Sequence, residues 1–348
     1  MEEIRQKMFE GEMIPECNAC YQIEEASGES YRFKAFEHHG FNSKSNPFST
    51  EINKVTIKVR YLGSYCNLSC YMCHPYNSTT RKQELEKIFP AENVVDQERF
   101  IRGELDQVAS VNVKYSDWNK YVDHIIDNIH LIGKFQMMGG ETLQLPKYWD
   151  LLEQVPEEHA KNITVGQSTN LTEIRYKNKS LLDLAEKFKY FHLGVSVDHY
   201  LDKLSFMRYP IDVEQFEKNL AEICEYDPKI EFKLDVTVSL LNINDLFEIK
   251  KYYTNKFNLK PYGPTRSRLD FDNIVRGPKY LSIRNLPDRL KQKYIDIYSE
   301  QFPYVIAELV RDPVKPLDDF FAYCDKLSLY RNLDWRPIWK DFIDVLHE

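Results

Sequence analysis

Short apolar runs with a period of two alternate along the chain with longer stretches whose apolar residues recur every three or four positions. Val55, Ile57 and Val59 alternate with Thr56 and Lys58, which predicts a strand over 55–60. Trp118, Tyr121, Val122, Ile125, Ile126 and Ile129 fall at i, i+3, i+4, i+7, i+8 and i+11, the stripe of an amphipathic helix with Ser116 as its expected N-cap. The pattern then predicts a strand at 135–138, a helix at 149–154, a strand at 163–166, a helix at 181–188 and a strand at 191–197. A helix with Val213, Phe216, Leu220 and Ile223 on one face follows, then a strand at 232–238, a helix from Leu246 and a strand near 280–283.

Six strands separated by helices imply parallel pairing with right-handed crossovers, because a parallel neighbour is reached only by a long connection. The expected fold is α/β, a partial (β/α)6 TIM-like barrel with small amino- and carboxyl-terminal extensions. The barrel is expected over 50–285, behind a segment 1–49 that ends in the turn-forming run Phe41-Asn42-Ser43-Lys44-Ser45-Asn46-Pro47, and ahead of a helical extension over 286–348. In such barrels the chemistry collects at the carboxyl ends of the strands.

Composition narrows the partners. A net charge of −8 offers no global basic field, which argues against a nucleic-acid partner, and the lysines of 175–189 read as a solvated helix face. No apolar run is long enough to cross a bilayer, and the start Met1-Glu2-Glu3 lacks the basic-then-apolar pattern of a secretory signal. No membrane association and a cytoplasmic location are therefore expected. In that reducing compartment the seven cysteines read as metal ligands or free thiols, and five of them lie in two tight groups.

One group directly follows the first strand: Cys66-Asn67-Leu68-Ser69-Cys70-Tyr71-Met72-Cys73. A loop of that length can fold around a cubane so that three thiolates bind three irons and leave the fourth open, as a catalytic site requires. The plainer alternative is a zinc site with His74 as fourth ligand, but adjacent residues such as Cys73 and His74 rarely reach one tetrahedral ion together. Gly139-Gly140-Glu141 ends the second strand, Ser168-Thr169-Asn170 the third and Ser196-Val197-Asp198 the fourth, with Arg208 ten residues further on. Glycines let backbone approach a ligand closely, Glu141 adds a charge and Arg208 suits bidentate capture of a carboxylate. A turn at Gly139 and Gly140, and a strand cap with a surface ion pair at Asp198 and Arg208, are the plainer readings.

In these motifs the chain resembles the radical S-adenosylmethionine (radical SAM) superfamily, whose signature is a Cys-x3-Cys-x2-Cys loop after the first strand of a partial barrel. The resemblance implies a [4Fe-4S] cluster on Cys66, Cys70 and Cys73. It also implies S-adenosyl-L-methionine held by Met72 (through its backbone), Gly139, Gly140, Glu141, Asn170, Ser196, Asp198 and Arg208, with Glu141 at the amino group of the methionine moiety. The implied activity is reductive cleavage of S-adenosylmethionine to a 5′-deoxyadenosyl radical that takes hydrogen from a substrate, with a small electron donor such as flavodoxin or ferredoxin as partner. Where the superfamily often has an aromatic before its last cysteine, this chain has Met72, with Tyr71 one place earlier.

The segment Glu16-Cys17-Asn18-Ala19-Cys20 resembles part of a twitch domain, a module for an auxiliary cluster. In similar enzymes further cysteines precede this pair and complete the ligand set, and this chain begins after them. A second cluster of the usual composition is thus not expected on Cys17 and Cys20, although Cys324, His38 or His39 could complete a smaller site. Cys324 and Cys224 otherwise read as core filling on helices. The stretch from Asp325 to Arg336 also resembles the end of twitch-bearing enzymes. Those relatives include peptide-modifying enzymes, so a peptide or protein substrate is implied. Two other readings stand beside it: a radical SAM enzyme acting on a nucleotide or RNA, and a non-catalytic zinc or iron-sulfur binding protein, which would have no use for Gly139, Gly140 and Glu141.

Overall fold

Six strands form one sheet in sequence order: β1 (Val55–Val59), β2 (Ile132–Met137), β3 (Thr164–Thr169), β4 (Tyr190–Ser196), β5 (Ile230–Val238) and β6 (Leu269–Ile274). Each neighbouring pair from β2 to β6 is parallel, with Phe135 opposite Val165, Val165 opposite Phe191, Phe191 opposite Ile230 and Leu234 opposite Leu269. This computed structural model describes residues 54–60, 62–89, 115–226, 229–259, 268–275, 277–298 and 301–347, with parts of 3–24. The chain divides into two compact units, Met1–Val55 and Thr56–Glu348. In the first, a 3-10 turn at Pro15–Cys17 leaves Cys17 half-buried. Cys20, His38 and His39, which the sequence marks as ligand candidates, lie outside the described residues.

In the second unit the strands are linked by α1 (Thr79–Ile88), α2 (Tyr115–Asp127), α3 (Pro146–Gln154), α4 (Leu181–Lys187), α5 (Leu201–Met207), α6 (Val213–Glu225) and α7 (Leu246–Lys256). This is the α/β architecture that the alternation predicts. Period two decides which face of the sheet these helices cover: Phe191, Leu193 and Val195 of β4 and Ile230, Phe232, Leu234, Val236 and Val238 of β5 are buried. Each such side chain removed from water contributes roughly 1.5–3 kcal/mol. The alternate positions, His192, Gly194 and Ser196 on β4 and Glu231, Lys233 and Asp235 on β5, form a polar second face. On α6 the Asp212 side chain caps the helix by accepting from the Gln215 N–H at 3.0 Å, and Phe216, Leu220 and Ile223 turn inward.

Three expectations change. The run near 280–283 is not a strand but two 3-10 turns, Lys279–Leu281 and Ile283–Asn285, which bury Leu281 and Ile283. Pro278 opens the first turn and the Ser282 hydroxyl caps the second by accepting from the Arg284 N–H, so the chain coils where its apolar spacing suggested extension. The sixth strand is β6, whose inward Leu269 and Phe271 alternate with Asp270 and Asp272. Helix α2 begins at Tyr115, which puts Ser116 inside its first turn. The lysine-bearing stretch from Arg175 starts as a two-stranded hairpin, Arg175–Tyr176 with Lys179–Ser180, and becomes helical only at α4.

Beyond the sheet come α8 (Asp288–Tyr298), α9 (Pro303–Leu309), α10 (Leu317–Arg331), a single turn at Trp335–Ile338 and α11 (Lys340–His347). Cys324 on α10 is completely buried, as its apolar surroundings predict, whereas Cys224 on α6 is only half-buried. Among the described residues no helix is long and apolar enough to cross a membrane.

Candidate active site

The cysteine loop leaves β1 and is tied down at both ends. Ser78, the N-cap of α1, accepts from the Arg81 N–H at 3.0 Å and donates its own hydroxyl to the Leu68 carbonyl at 2.9 Å. Thr80 donates to the Cys66 carbonyl. The loop also runs beside residues 207–209: the Ser69 N–H donates to the Tyr209 carbonyl at 2.6 Å and the Tyr71 N–H to the Met207 carbonyl at 2.9 Å. The Cys73 N–H donates back to the Cys70 carbonyl at 2.9 Å, so the last two cysteines share a turn. Tyr71 is fully buried with its hydroxyl on Ser239, which removes it as a ring for stacking on a ligand in the cavity.

The glycine pair is required by the chain's own path. A Cβ on Gly140 would sit 1.9 Å from the Tyr65 carbonyl oxygen, and one on Gly139 would sit 2.7 Å from the Gly63 oxygen. The Gly140 N–H donates to Gly63 O at 3.0 Å and the Glu141 N–H to Tyr65 O at 2.7 Å. The close approach that glycine permits is thus to the segment leading into the cysteine loop, and it fixes Glu141 beneath that loop. The buried Glu141 carboxylate accepts from the Thr169 hydroxyl at 2.8 Å, the Asn170 N–H at 2.6 Å and the Leu143 N–H at 3.2 Å. Burial pushes this carboxyl upward, and those donors pull it back.

Asn170 is likewise pinned to the loop: its amide donates to Asn67 Oδ1 at 2.9 Å and lies 3.7 Å from Cys66 Sγ. At the end of β4, Asp198 is fully buried. Its Oδ1 accepts from the Thr237 N–H at 3.0 Å and its Oδ2 lies 2.9 Å from Arg208 Nη2. The pair is therefore interior rather than the surface ion pair of the plainer reading. Arg208 Nη1 reaches to 3.6 Å from Cys70 Sγ.

Cys66, Cys70 and Cys73 border one cavity of about 470 Å³ with Gly139, Gly140, Glu141, Asn170, Ser196 and Arg208. Met72 and Asp198 do not border it; Asp198 acts from behind, orienting Arg208. Two polar atoms of residues around this cavity, Arg208 Nε and Thr142 Oγ1, are buried without a protein partner. Burial pushes the Cys66 and Cys73 thiols up to about 12, and Cys70 upward as well, so thiolates here need a bound cation to offset the desolvation. Among the described residues no three Cys, His, Asp or Glu side chains converge tightly enough to hold a single ion. His74 stands apart from the cavity, with its Nδ1 accepting from the Tyr76 N–H at 3.1 Å. The three thiols border one cavity, and His74 is not among its walls.

Residues 61–248, more than half of the chain, match the sequence model of the Radical SAM superfamily. The chain belongs to this superfamily. Radical SAM proteins are enzymes that use a [4Fe-4S] cluster and S-adenosylmethionine. No curated protein is significantly similar to the chain in sequence. Among solved structures, native anSMEcpe with bound AdoMet is 19% identical over 70% of this radical SAM chain and 60% of its own, with a TM-score of 0.44. The same protein with AdoMet and Kp18Cys peptide is 19% identical over 72% and 62%, with a TM-score of 0.45. Streptococcus suis SuiB bound to S-adenosylmethionine is 16% identical over 80% and 57%, with a TM-score of 0.38. The chain spans less than two thirds of the length of each of these.

Sequence reasoning misses Asn67, Thr172, Arg81, Glu84 and Arg331. Thr172 holds Asn170 by donating to its Oδ1 at 2.8 Å, and the other charged residues pack under the loop. An Arg and a Glu three apart on a helix ordinarily face water, so their spacing gives no sign that both are buried.

Proposed function

We propose that this chain is a radical SAM enzyme in which Cys66, Cys70 and Cys73 ligate three irons of a [4Fe-4S] cluster, while Glu141, Asn170, Ser196 and Arg208 receive S-adenosylmethionine. The observation that carries this reading is the meeting of the three cysteines with the ends of β2, β3 and β4 around one cavity. The chemistry such a cofactor pair supplies is one-electron reductive cleavage of S-adenosylmethionine, which yields the hydrogen-abstracting 5′-deoxyadenosyl radical of the superfamily. The residues divide the binding work by charge. Arg208, held by Asp198, offers a guanidinium to a carboxylate, and Glu141, held by three donors, offers negative charge to an ammonium. Fixing each group through a neighbour keeps it in place before the ligand arrives.

The substrate is read as a peptide or protein, on the resemblance of the amino-terminal segment to twitch-bearing enzymes. A second cavity of about 810 Å³ adjoins the first, with Gln136 and Ser168 bordering both. That volume suits a sizeable polar ligand. Its walls include Glu231, Asp235, Asp270 and Asp272, against Lys233 and Lys250, an acidic balance that disfavours the phosphates of a nucleotide or RNA.

Anaerobically reconstituted protein given a strong reductant is expected to convert S-adenosylmethionine to 5′-deoxyadenosine, read by chromatography. Cys70→Ala should lose the cluster's iron and fall to background. Wild-type turnover in that variant would overturn the assignment.

A further inference from the structure

None of Arg81, Glu84, Tyr323 and Arg331 borders either cavity, yet all four are buried and end on the cysteine loop. Arg331 closes α10. Its Nε and Nη2 hold Glu84 Oε1 and Oε2 at 2.7 and 3.0 Å. The donors left over go to backbone: Nη2 reaches the Ser69 carbonyl at 2.5 Å and Nη1 the Phe206 carbonyl. Ser69 sits between Cys66 and Cys70, and Phe206 lies two residues before Arg208. One guanidinium therefore bonds both the cysteine loop and the segment that carries Arg208, and it stands 5.0 Å from the centroid of the Tyr209 ring on that segment.

Arg81 repeats the arrangement further along the loop. It binds Glu84 through Nη1 and donates through Nη2 to the Tyr71 carbonyl at 2.8 Å and to the Tyr323 hydroxyl, which itself donates to the same carbonyl. Ser69 adds its hydroxyl to Glu84. At Arg331 the planar fork makes four hydrogen bonds, to a carboxylate and two carbonyls, one more than the three donors of an ammonium could supply.

We propose that Arg331 and Arg81, joined through Glu84, are positioning residues: they set the spacing between the cysteine loop and Arg208, so that the metal ligands and the carboxylate-binding guanidinium meet the cavity in one fixed arrangement. The proposal rests on the reading of Cys66, Cys70 and Cys73 as cluster ligands. It makes α10, a helix beyond the sheet, part of the site. Loosening the set lets the two segments drift relative to each other, and displacements below 1 Å at such a site cost affinity and rate.

The test compares reconstituted wild type with Arg331→Lys, which keeps the charge but loses the fork, and with Tyr323→Phe, which removes one hydroxyl. Iron and sulfide content, the melting temperature of the apoprotein, anaerobic calorimetry with S-adenosylmethionine, and the change this ligand causes in the electron paramagnetic resonance spectrum of the reduced cluster are measured on each. Arg331→Lys is expected to take up wild-type iron, bind S-adenosylmethionine at least tenfold more weakly and show an altered spectral change. Tyr323→Phe should move both readouts in the same direction by a few-fold, and it decides the matter alone if Arg331→Lys does not fold. A lowered melting temperature with unchanged affinity and spectrum would make the network purely structural and overturn the proposal. A wild type that takes up no iron would overturn the cysteine reading and this proposal with it.

Discussion

Glu84 and Asp245 are both carboxylates held between two basic side chains, yet they hold different things. Glu84 faces Arg81 and Arg331, whose spare donors run on to the carbonyls of Ser69, Tyr71 and Phe206. Asp245 faces His199, at 2.9 Å, and Lys203, and neither passes a side-chain donor on to the cysteine loop or the cavity. Around Asp245 the bonds stay local: the His199 Nδ1 accepts from the Tyr200 N–H at 3.0 Å and the Tyr253 hydroxyl donates to the His199 carbonyl at 2.7 Å, fastening the end of β4 to α7. The difference lies in the donors. A guanidinium satisfied by a carboxylate still has N–H groups to spend on a loop, whereas a neutral imidazole has a single N–H and the partly exposed Lys203 ammonium can give its remaining donors to water. The first network is therefore expected to affect both stability and the cluster, the second stability alone.

The largest effect should come from Glu84→Ala. It leaves two buried guanidiniums without their shared anion, a loss of about 3–5 kcal/mol, and it frees the carbonyls of the cysteine loop. Urea denaturation of the apoprotein should show that loss, and iron uptake on reconstitution should fall with it. Full iron loading in a destabilised Glu84→Ala protein would erase the distinction between the two networks.

Asp245→Asn should cost less and leave iron uptake intact. Burial pushes this carboxyl upward, but the bonds from His199 and Lys203 win and hold it down to about 2, from 3.8. At about 1.4 kcal/mol per pH unit this amounts to roughly 2–3 kcal/mol. Because the folded value is the lower one, that stability is fully present above pH 3.8 and disappears as pH falls towards 2. The gap between wild type and Asp245→Asn in urea midpoint should therefore be constant at neutral pH and narrow in acid. A drop in iron content in this variant would show that the second network also reaches the cluster.

Much of the barrel was legible because burial on one face of a sheet writes a period of two into the sequence, and β2 to β5 fall where that period placed them within a few residues. β6 escaped notice because Asp270 and Asp272, which read as loop, alternate with its buried Leu269 and Phe271, while Tyr280, Leu281 and Ile283 carry the apolar spacing of a strand but coil beside Pro278. The cysteine loop and the glycine pair stood out by type and spacing. Asp198 was legible as a residue but not in its place behind Arg208, since it lies past the end of β4, where the period of two no longer assigns a face. The Glu84 network had no local signature at all. Arg331 meets Glu84 across 247 positions of sequence, and only the packing of α10 brings them together.

The smallest effect concerns His199. Burial holds this imidazole below its usual range, against the pull of Asp245, so it is neutral in the fold, with Nδ1 accepting and Nε2–H donating to the carboxylate. For a base whose folded value is lowered, the unfolded chain takes up the proton first as pH falls. Stability is therefore fully present above the unfolded value of about 6.5 and declines below it. Replacing the ring by His199→Gln keeps a donor for Asp245 and removes the titration. Between pH 7.5 and 5.5, wild type should thus lose urea midpoint faster than the variant, by a margin smaller than the full effect of Asp245→Asn. The opposite slope, with wild type gaining on the variant in mild acid, would mean that His199 carries a charge in the fold. Asp245 would then sit between two cations as Glu84 does, and the contrast between the networks would rest on the number of donors alone.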